Sequence, residues 1–502
     1  MKKLIALLLA TVMLLGLVTG CADQGKSTTN DSQAASGEEP YEVKMVIALP
    51  ATAPDAAAIE RVTDAINEIT LPALNMTLSL EVIPFSMYLE QIPLQLSSGA
   101  NLDIFTAPSS FGPSWVNAGY ILDLTDLLEE YGPDILDTYA SEDLAKVCSL
   151  DGYLYGLPVH KEIAQQPTMF FRTDILEKHN LDVSNIKTLA DVDALFEKVA
   201  ALEPDMWMLA ADNTSQGKTI VADFVGGSSV SACLIHPERS TEVVELVGTD
   251  EFYEWCEYNH KWFENGWINP GAASDTESYY TYIASGQAFS FFSDYGHPLS
   301  ESDQEANCSG TDLTMVQLGE PYCNTTTSAV FCYSIGAGSK DPAKAMQMLN
   351  LIMTSTEIMN LLNWGIEGED YVVDENGQLD FPEGKDASTV GYHLNTGWML
   401  PNQFMCTTWN TNDPDIYEKI QEYNKTAVTS QALGFLFDPS PVSDIVTAVT
   451  NVRAKYYKAL IVGAVDPAEY IPKYLEELDQ AGNQKLIAEV QRQLDEFLAS
   501  KG

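Results

Sequence analysis

Eight cysteines, six histidines and 72 carboxylates are the side chains with which this 502-residue chain could do covalent, metal or acid–base chemistry. Their spacing organises none of it. No C-x-x-C pair and no H-E-x-x-H is present and the histidines are scattered, so neither a metal site nor a cofactor is expected. G-x-S-x-G, P-loop and G-x-G-x-x-G patterns are absent, and "GAGSKDP" lacks the glycine spacing of a phosphate cradle, which argues against nucleotide chemistry. Two carboxylates could stand at glycosidase separation, but spacing in sequence singles out no pair.

One cysteine stands apart. Lys2 and Lys3 precede an apolar run from Leu4 to Val18, followed by small residues Thr19 and Gly20 and then Cys21. That order predicts a secretory signal over 1–20, too short and wrongly flanked for a spanning helix. "VTGC" resembles the lipobox of bacterial lipoproteins, which implies a diacylglyceryl group on the Cys21 thiol. Two acyl chains give stable anchoring where one is marginal. The bland alternative is an ordinary cleavage site with a chance cysteine. Residues 21–40 are small and polar with no apolar period, as expected of a flexible tether. Seven cysteines remain, at 148, 233, 256, 308, 323, 332 and 406, so at least one is unpaired. Cys308 and Cys323 are the candidate pair for a small disulfide-closed loop in an exported protein.

The chain carries 26 Lys and Arg against 72 Asp and Glu, a net charge of −46, and nucleic acid or an anionic membrane surface is a poor partner for it. At 45% hydrophobic and 10% aromatic it is nonetheless globular in composition, and the acids read as solvated surface. "EVKMVIALP", the helical period of Ile59, Val62, Ile66 and Ile69, then "MTLSLEVIPF" and "NLDIFTA" predict alternating strands and helices and a mostly parallel α/β sheet. Thr188 and Asp191 have capping-box spacing. "SKDPAKAMQMLNLIMTSTEIMNLLNWG" predicts a helix capped near Asp341 and Pro342 and closed by Gly365. Asn376 and Gly377 predict a two-residue hairpin turn, and Leu486, Val490, Leu494 and Phe497 predict a final amphipathic helix.

The lipobox, the tether, "DGYLYGLPV", "FFRTDILEKHNLDVSNIKTLADV" and "NWGIEGEDY" together resemble the extracellular solute-binding proteins of sugar-type ABC transporters. "GWMLPNQF", "TNDPDIYEKIQEYN", "ALGFLFDPSPV" and the last segment are similar to the C-terminal domain of a subset of them. Pro401 departs from the glycine expected of that subset, removing a backbone donor. The resemblance implies a two-lobed periplasmic-binding-protein-like fold of type II with extra C-terminal helices. It places a first lobe at 41–157 with about 323–365, a second at 158–322 with about 396–502, and a hairpin insertion at 366–395 near the interlobe region. The chain is expected to cross between lobes at Gly156–His160, at Leu318–Tyr322, and between Gly391 and Trp409. It further implies a lipid-anchored, extracytoplasmic monomer that takes an oligosaccharide into an interlobe cleft, closes on it, and delivers it to a membrane permease, with no catalysis of its own. A secreted carbohydrate-active lipoprotein enzyme and a ligand-binding module for a membrane sensor are the alternatives.

A sugar cleft needs flat aromatic faces and a few fixed polar groups. Trp115 with Ser109 and Ser110 follows a strand of the first lobe, Asp294 and Tyr295 end "FSFFSDY", Trp398 and Trp409 flank "MLPNQFMCTT", and Phe437 and Asp438 end "GFLFD". Each is a candidate for the cleft, with a core or interface role as its alternative. Glu162, beside His160 after the first crossing, is a candidate ligand contact or half of a hinge salt bridge. Trp255, Trp262 and Phe263 recur at helical spacing and are expected in the core, and Glu367 is expected to bond the start of the hairpin.

Overall fold

Strand Tyr41–Leu49 turns fully apolar toward its end and pairs in parallel with Met76–Pro84, in register from Tyr41 opposite Met76 to Leu49 opposite Pro84. The structure is a computed structural model and describes residues 39–501 except 51–52, 214–216 and 228; the signal segment, Cys21 and the tether up to residue 38 lie outside the described residues. Helix Ala56–Leu74 makes the crossover, capped by Asp55 and packed through Val62 and Ile66. Strand Ile104–Pro108 adds in parallel, Phe331–Ile335 returns antiparallel with Phe331 opposite Pro108, and Leu157–Pro158 closes the edge. One edge of this first sheet therefore collects the ends of its three parallel strands, Leu49, Pro84 and Pro108, with Phe331 beside them.

The second sheet orders Leu313–Gln317, Thr168–Arg172, Ala288–Ser293 and Trp207–Leu209, with Thr168 opposite both Ser293 and Gln317. Its core includes Trp255 and Trp262, fully interior, with Phe263 packed against it. Thr188 and Asp191 form the reciprocal capping box that opens helix Leu189–Leu202. Helices Ser443–Ile461, Pro467–Ala481 and Asn483–Lys501 pack onto this lobe. The fold is two-lobed, with the sheet order of the type II class in the first lobe.

The first crossing runs from Pro158 to Thr168 and the second from Gln317 to Phe331, each joining a strand of one sheet to a strand of the other. Both leave from the same sheet edges, so the edge with Phe331 in one lobe faces the edge with Thr168, Ser293 and Gln317 in the other. The third crossing lies later than expected. Residues 396–409, assigned by resemblance to the second lobe, stay on the first: Tyr392, Met399, Leu400 and Cys406 are buried in its core. Helix Thr356–Trp364 holds them there, with Asn363 accepting from Thr396 N (2.9 Å) and Asn360 from Thr407 N (2.8 Å). Only after helix Ile416–Thr426 does the chain pass over, where Val428–Thr429 pairs with Tyr322–Cys323, Leu433 joins the first core and Phe435 the second.

Three local expectations differ from what forms. The helix predicted through Gly365 is two, Pro342–Thr354 and Thr356–Trp364, because Ser355 is extended and caps the second. The Asn376–Gly377 hairpin has a longer loop between Val372–Val373 and Leu379–Asp380, since the Asp374 carboxylate accepts from both Asn376 N and Gln378 N. Cys308 and Cys323 are unpaired, as are the other five described cysteines, all buried. Cys308 packs with Phe170 and Phe291, while Cys323 sits in the crossing ladder beside Thr429.

Candidate ligand-binding cleft

In open α/β sheets ligands bind outside the carboxyl ends of the strands. In the first lobe that edge carries a row of rings: Phe85, just after Pro84, meets Phe331 edge-on at 5.7 Å, and Phe331 meets Trp398 at 5.9 Å. Trp398 is 36% exposed, and Phe85 is partly open. Of the sequence candidates Trp398 belongs to this row; Phe85 and Phe331 were missed, being hidden inside apolar runs. Their only signal was position at the end of one strand and the start of another. Ser110 is exposed on the same edge, while Ser109 is buried with its N–H donated to Val330 O (3.3 Å).

The facing edge of the second lobe is polar and aromatic. Lys218 Nζ bonds Asp294 Oδ2 at 2.5 Å, Tyr295 stands 45% exposed next to it, and Tyr279 and Tyr280 pack together at 4.3 Å. Burial alone would lower the Lys218 ammonium, but Asp294, with help from Asp212 and the Tyr295 hydroxyl, holds it above its ordinary range, so it stays charged. Burial raises the hydroxyls of Tyr279 and Tyr280, which remain neutral donors. Such a wall offers fixed donors and acceptors to hydroxyl groups, opposite a wall of ring faces.

The remaining candidates lie elsewhere. Trp115 is only 5% exposed and stacks on Phe111 (5.4 Å) and against Phe105 (5.9 Å) inside the first core, so its ring faces are already covered. Trp409 belongs to a quartet with Trp364, His393 and Phe381, its centroid 4.4 Å from Phe381 and 5.5 Å from Trp364. Among the described residues no ring contact joins that quartet to the row of Trp398. Phe437 packs on the second core, and Asp438 exchanges two backbone bonds (2.9 Å each) with the Gln493 side chain of the last helix, which is a docking role. Glu367 is exposed, and Asp370 instead secures the start of the hairpin by accepting from Arg61, Ile366 N and Tyr392 N.

Glu162, the candidate ligand contact or hinge salt-bridge partner, has its carboxylate 2.9 Å from Nζ of its sequence neighbour Lys161. Burial pushes that carboxyl up, but Lys161 and His297 outweigh burial and leave it below its ordinary range. Helix Ile416–Thr426 ties the two crossings together. Asn424 Oδ1 accepts from Ile163 N (3.0 Å) and Ala164 N (3.3 Å) while its Nδ2 donates to Lys161 O (3.0 Å). Tyr423 donates to Gln166 Oε1 (2.7 Å), and Gln166 Nε2 donates to Gly319 O (2.6 Å) of the second crossing. His160 N donates to Pro401 O (3.1 Å), so the position that lost a donor to proline serves through its carbonyl. Among the described residues no group of three or more metal-ligating side chains converges, and no helix is long and apolar enough to cross a membrane.

The sequence matches the model of the bacterial extracellular solute-binding protein family over residues 63–356, and a domain of unknown function, DUF3502, over residues 431–499. It is 26% identical over 514 residues, 98% of each chain, to a carbohydrate ABC transporter substrate-binding protein of Streptococcus pneumoniae serotype 4. The N-glycan transport solute binding protein NgtS of Streptococcus pneumoniae shares the fold at a TM-score of 0.81 and 22% identity, over 92% of this chain and 100% of that one. Against NgtS in complex with Man1GlcNAc the score is 0.70 at 22% identity, over 91% and 99% of the two chains.

Proposed function

The chain belongs to the bacterial extracellular solute-binding protein family, a family of carriers and not of enzymes, and from that premise we propose that it captures an oligosaccharide between its lobes for an ABC importer. The observation that carries this reading is the row Phe85–Phe331–Trp398, whose outermost ring is open on the sheet edge that faces the Lys218–Asp294 and tyrosine wall of the second lobe. Ring faces take the apolar sides of sugars, and the opposite wall takes their hydroxyls. Similarity to a carbohydrate transport component over 98% of both chains supports the substrate class.

Closure is the coupling step in this reading. Ligand contacts made only when the walls meet would then supply the free energy of closing. The closed form, anchored through lipid on Cys21 and acting as a monomer, is what a permease would engage.

A thermal-shift screen with mannose–N-acetylglucosamine glycans, other oligosaccharides and peptides tests the reading. A ligand at a hundred times its dissociation constant adds about 2.7 kcal/mol of stability. Stabilisation by glycans is expected; stabilisation by peptides alone, or hydrolysis of any glycan, would overturn it.

A further inference from the structure

Asp294 and Tyr295 of the polar wall sit on a turn that is bonded directly to the first crossing. Over residues 165–167 the backbone bonds of that crossing point alternately to two neighbours, as ladder residues do. Gln165 exchanges two bonds with Tyr322 of the second crossing (2.8 and 2.7 Å), and Pro167 O accepts from Leu318 N (2.7 Å). Gln166, between them, donates its N–H to Asp294 O instead (2.8 Å). The other end of the turn is held as well, since Gln317, from which the second crossing leaves, donates through Nε2 to Gly296 O (2.8 Å).

The buried Gln166 side chain gathers the remaining connections. Its Nε2 donates to Gly319 O of the second crossing (2.6 Å), and its Oε1 accepts from Tyr423 (2.7 Å) on helix Ile416–Thr426, which leads into the third. Its own carbonyl accepts from Thr168 Oγ1 (2.9 Å). A side chain held at both its donor and its acceptor end cannot absorb a movement of its backbone by changing rotamer. Space enforces the same link: a Cβ on Gly296 would stand 2.5 Å from Gln166 Oε1 and 2.8 Å from Thr168 Oγ1, so the turn lies against Gln166 only because glycine is there.

We propose that Gln166 is the positioning residue that couples occupancy of the polar wall to the arrangement of the lobes. Given the cleft reading above, on which this rests, a sugar drawn onto Asp294 and Tyr295 displaces their turn. The Asp294 carbonyl carries Gln166 N with it, and the pinned side chain moves Gly319 and Tyr423 together. The crossings then shift as a unit, and contact energy gained at the wall of the second lobe reaches the first.

Man1GlcNAc is the probe, and hydrogen exchange followed by mass spectrometry is the readout. In the parent protein the glycan should slow exchange over 163–168 and over 318–322 at least about threefold. In Gln166→Ala it should still bind by calorimetry yet leave 318–322 unslowed, whereas Tyr423→Phe, which keeps the bond to Gly319, should retain that slowing. Without ligand, Gly296→Ala should speed exchange at Leu318 and Tyr322 at least about threefold, and by clearly less in a Gln166→Ala background, an interaction that strain confined to Gly296 would not produce. Full slowing over 318–322 in glycan-bound Gln166→Ala, or an effect of Gly296→Ala that is nil or equal in both backgrounds, would overturn the proposal. If Gln166→Ala does not fold, Gly296→Ala in the otherwise parental protein decides, with unchanged exchange at Leu318 and Tyr322 refuting the link. The ligand-free comparison also decides alone if Man1GlcNAc does not bind the parent, a result that counts against the carbohydrate reading and not against Gln166. Glycan binding with no dependence on Gln166 counts against Gln166 and leaves the carbohydrate reading standing.

Discussion

Asn424→Ala should loosen the hinge and little else. The side chain accepts two backbone N–H groups of the first crossing, Ile163 and Ala164, and donates to Lys161 O. Ala164 is 3% exposed, so water does not readily replace its lost partner. A buried donor left unsatisfied costs about 1–3 kcal/mol, and the two partly shielded groups beside it less, which gives about 2–4 kcal/mol for the truncation. A two-lobed chain need not unfold in one step, so a local readout is preferable to a melting curve. Hydrogen exchange followed by mass spectrometry should show amides 161–166 exchanging at least about tenfold faster, equal to about 1.4 kcal/mol, with helix Leu189–Leu202 unchanged. Asn424→Asp keeps the acceptor oxygens and should recover most of the protection. If exchange over 161–166 is the same in Asn424→Ala as in the parent, the crossings are not held by this helix and the hinge argument fails.

Three further outcomes follow from the same structure. Asp223 is buried, and burial pushes its carboxyl up from 3.8 to about 6, with the Ser430 hydroxyl partly opposing. A raised folded-state value means stability fully present below the ordinary range and lost as pH rises through about 6, a term of about 3 kcal/mol, so Asp223→Asn should stabilise the protein at pH 7.5 and match it at pH 4; equal stability at both would refute this. All seven described cysteines are buried and unpaired, so mass spectrometry after denaturation with alkylating agent but no reductant should find all seven alkylated, and a linked Cys308–Cys323 peptide would contradict the structure. Cys21→Ala should abolish fatty-acid labelling and release the protein from membranes, whereas a variant that stays membrane-bound would refute the lipid anchor.

Alternating strands and helices announced the first sheet because each crossover helix carries its apolar stripe at 3.6-residue period, and Trp255 and Trp262 announced the second core in the same way. The third crossing was hidden because what holds 391–409 on the first lobe is a pair of asparagines, Asn360 and Asn363, bonding backbone more than thirty residues away. No period records such bonds. The site was half legible for a related reason. Trp398 and Tyr295 stand outside any stripe and were visible, but Phe331 sits in the run "VFCYSI" and looks like core until its strand end is known to face the other lobe. Trp115 failed in the opposite direction: its loop position was right, yet Phe111 and Phe105 cover its faces.

The central claim is that Trp398 stacks a sugar in the interlobe cleft, and titration calorimetry of the best glycan from the screen against Trp398→Ala and Trp262→Ala tests it most directly. Trp398 is partly exposed and lends its ring to the row at the sheet edge, so its loss should weaken binding at least about tenfold, or about 1.4 kcal/mol, with no change in melting temperature. Trp262 is fully buried against Phe196 and Phe292 with its indole N–H on Asp193, so its loss should cost about 3–5 kcal/mol of stability and leave affinity unchanged. Unaltered glycan affinity in Trp398→Ala would contradict the account, even if the protein still binds carbohydrate.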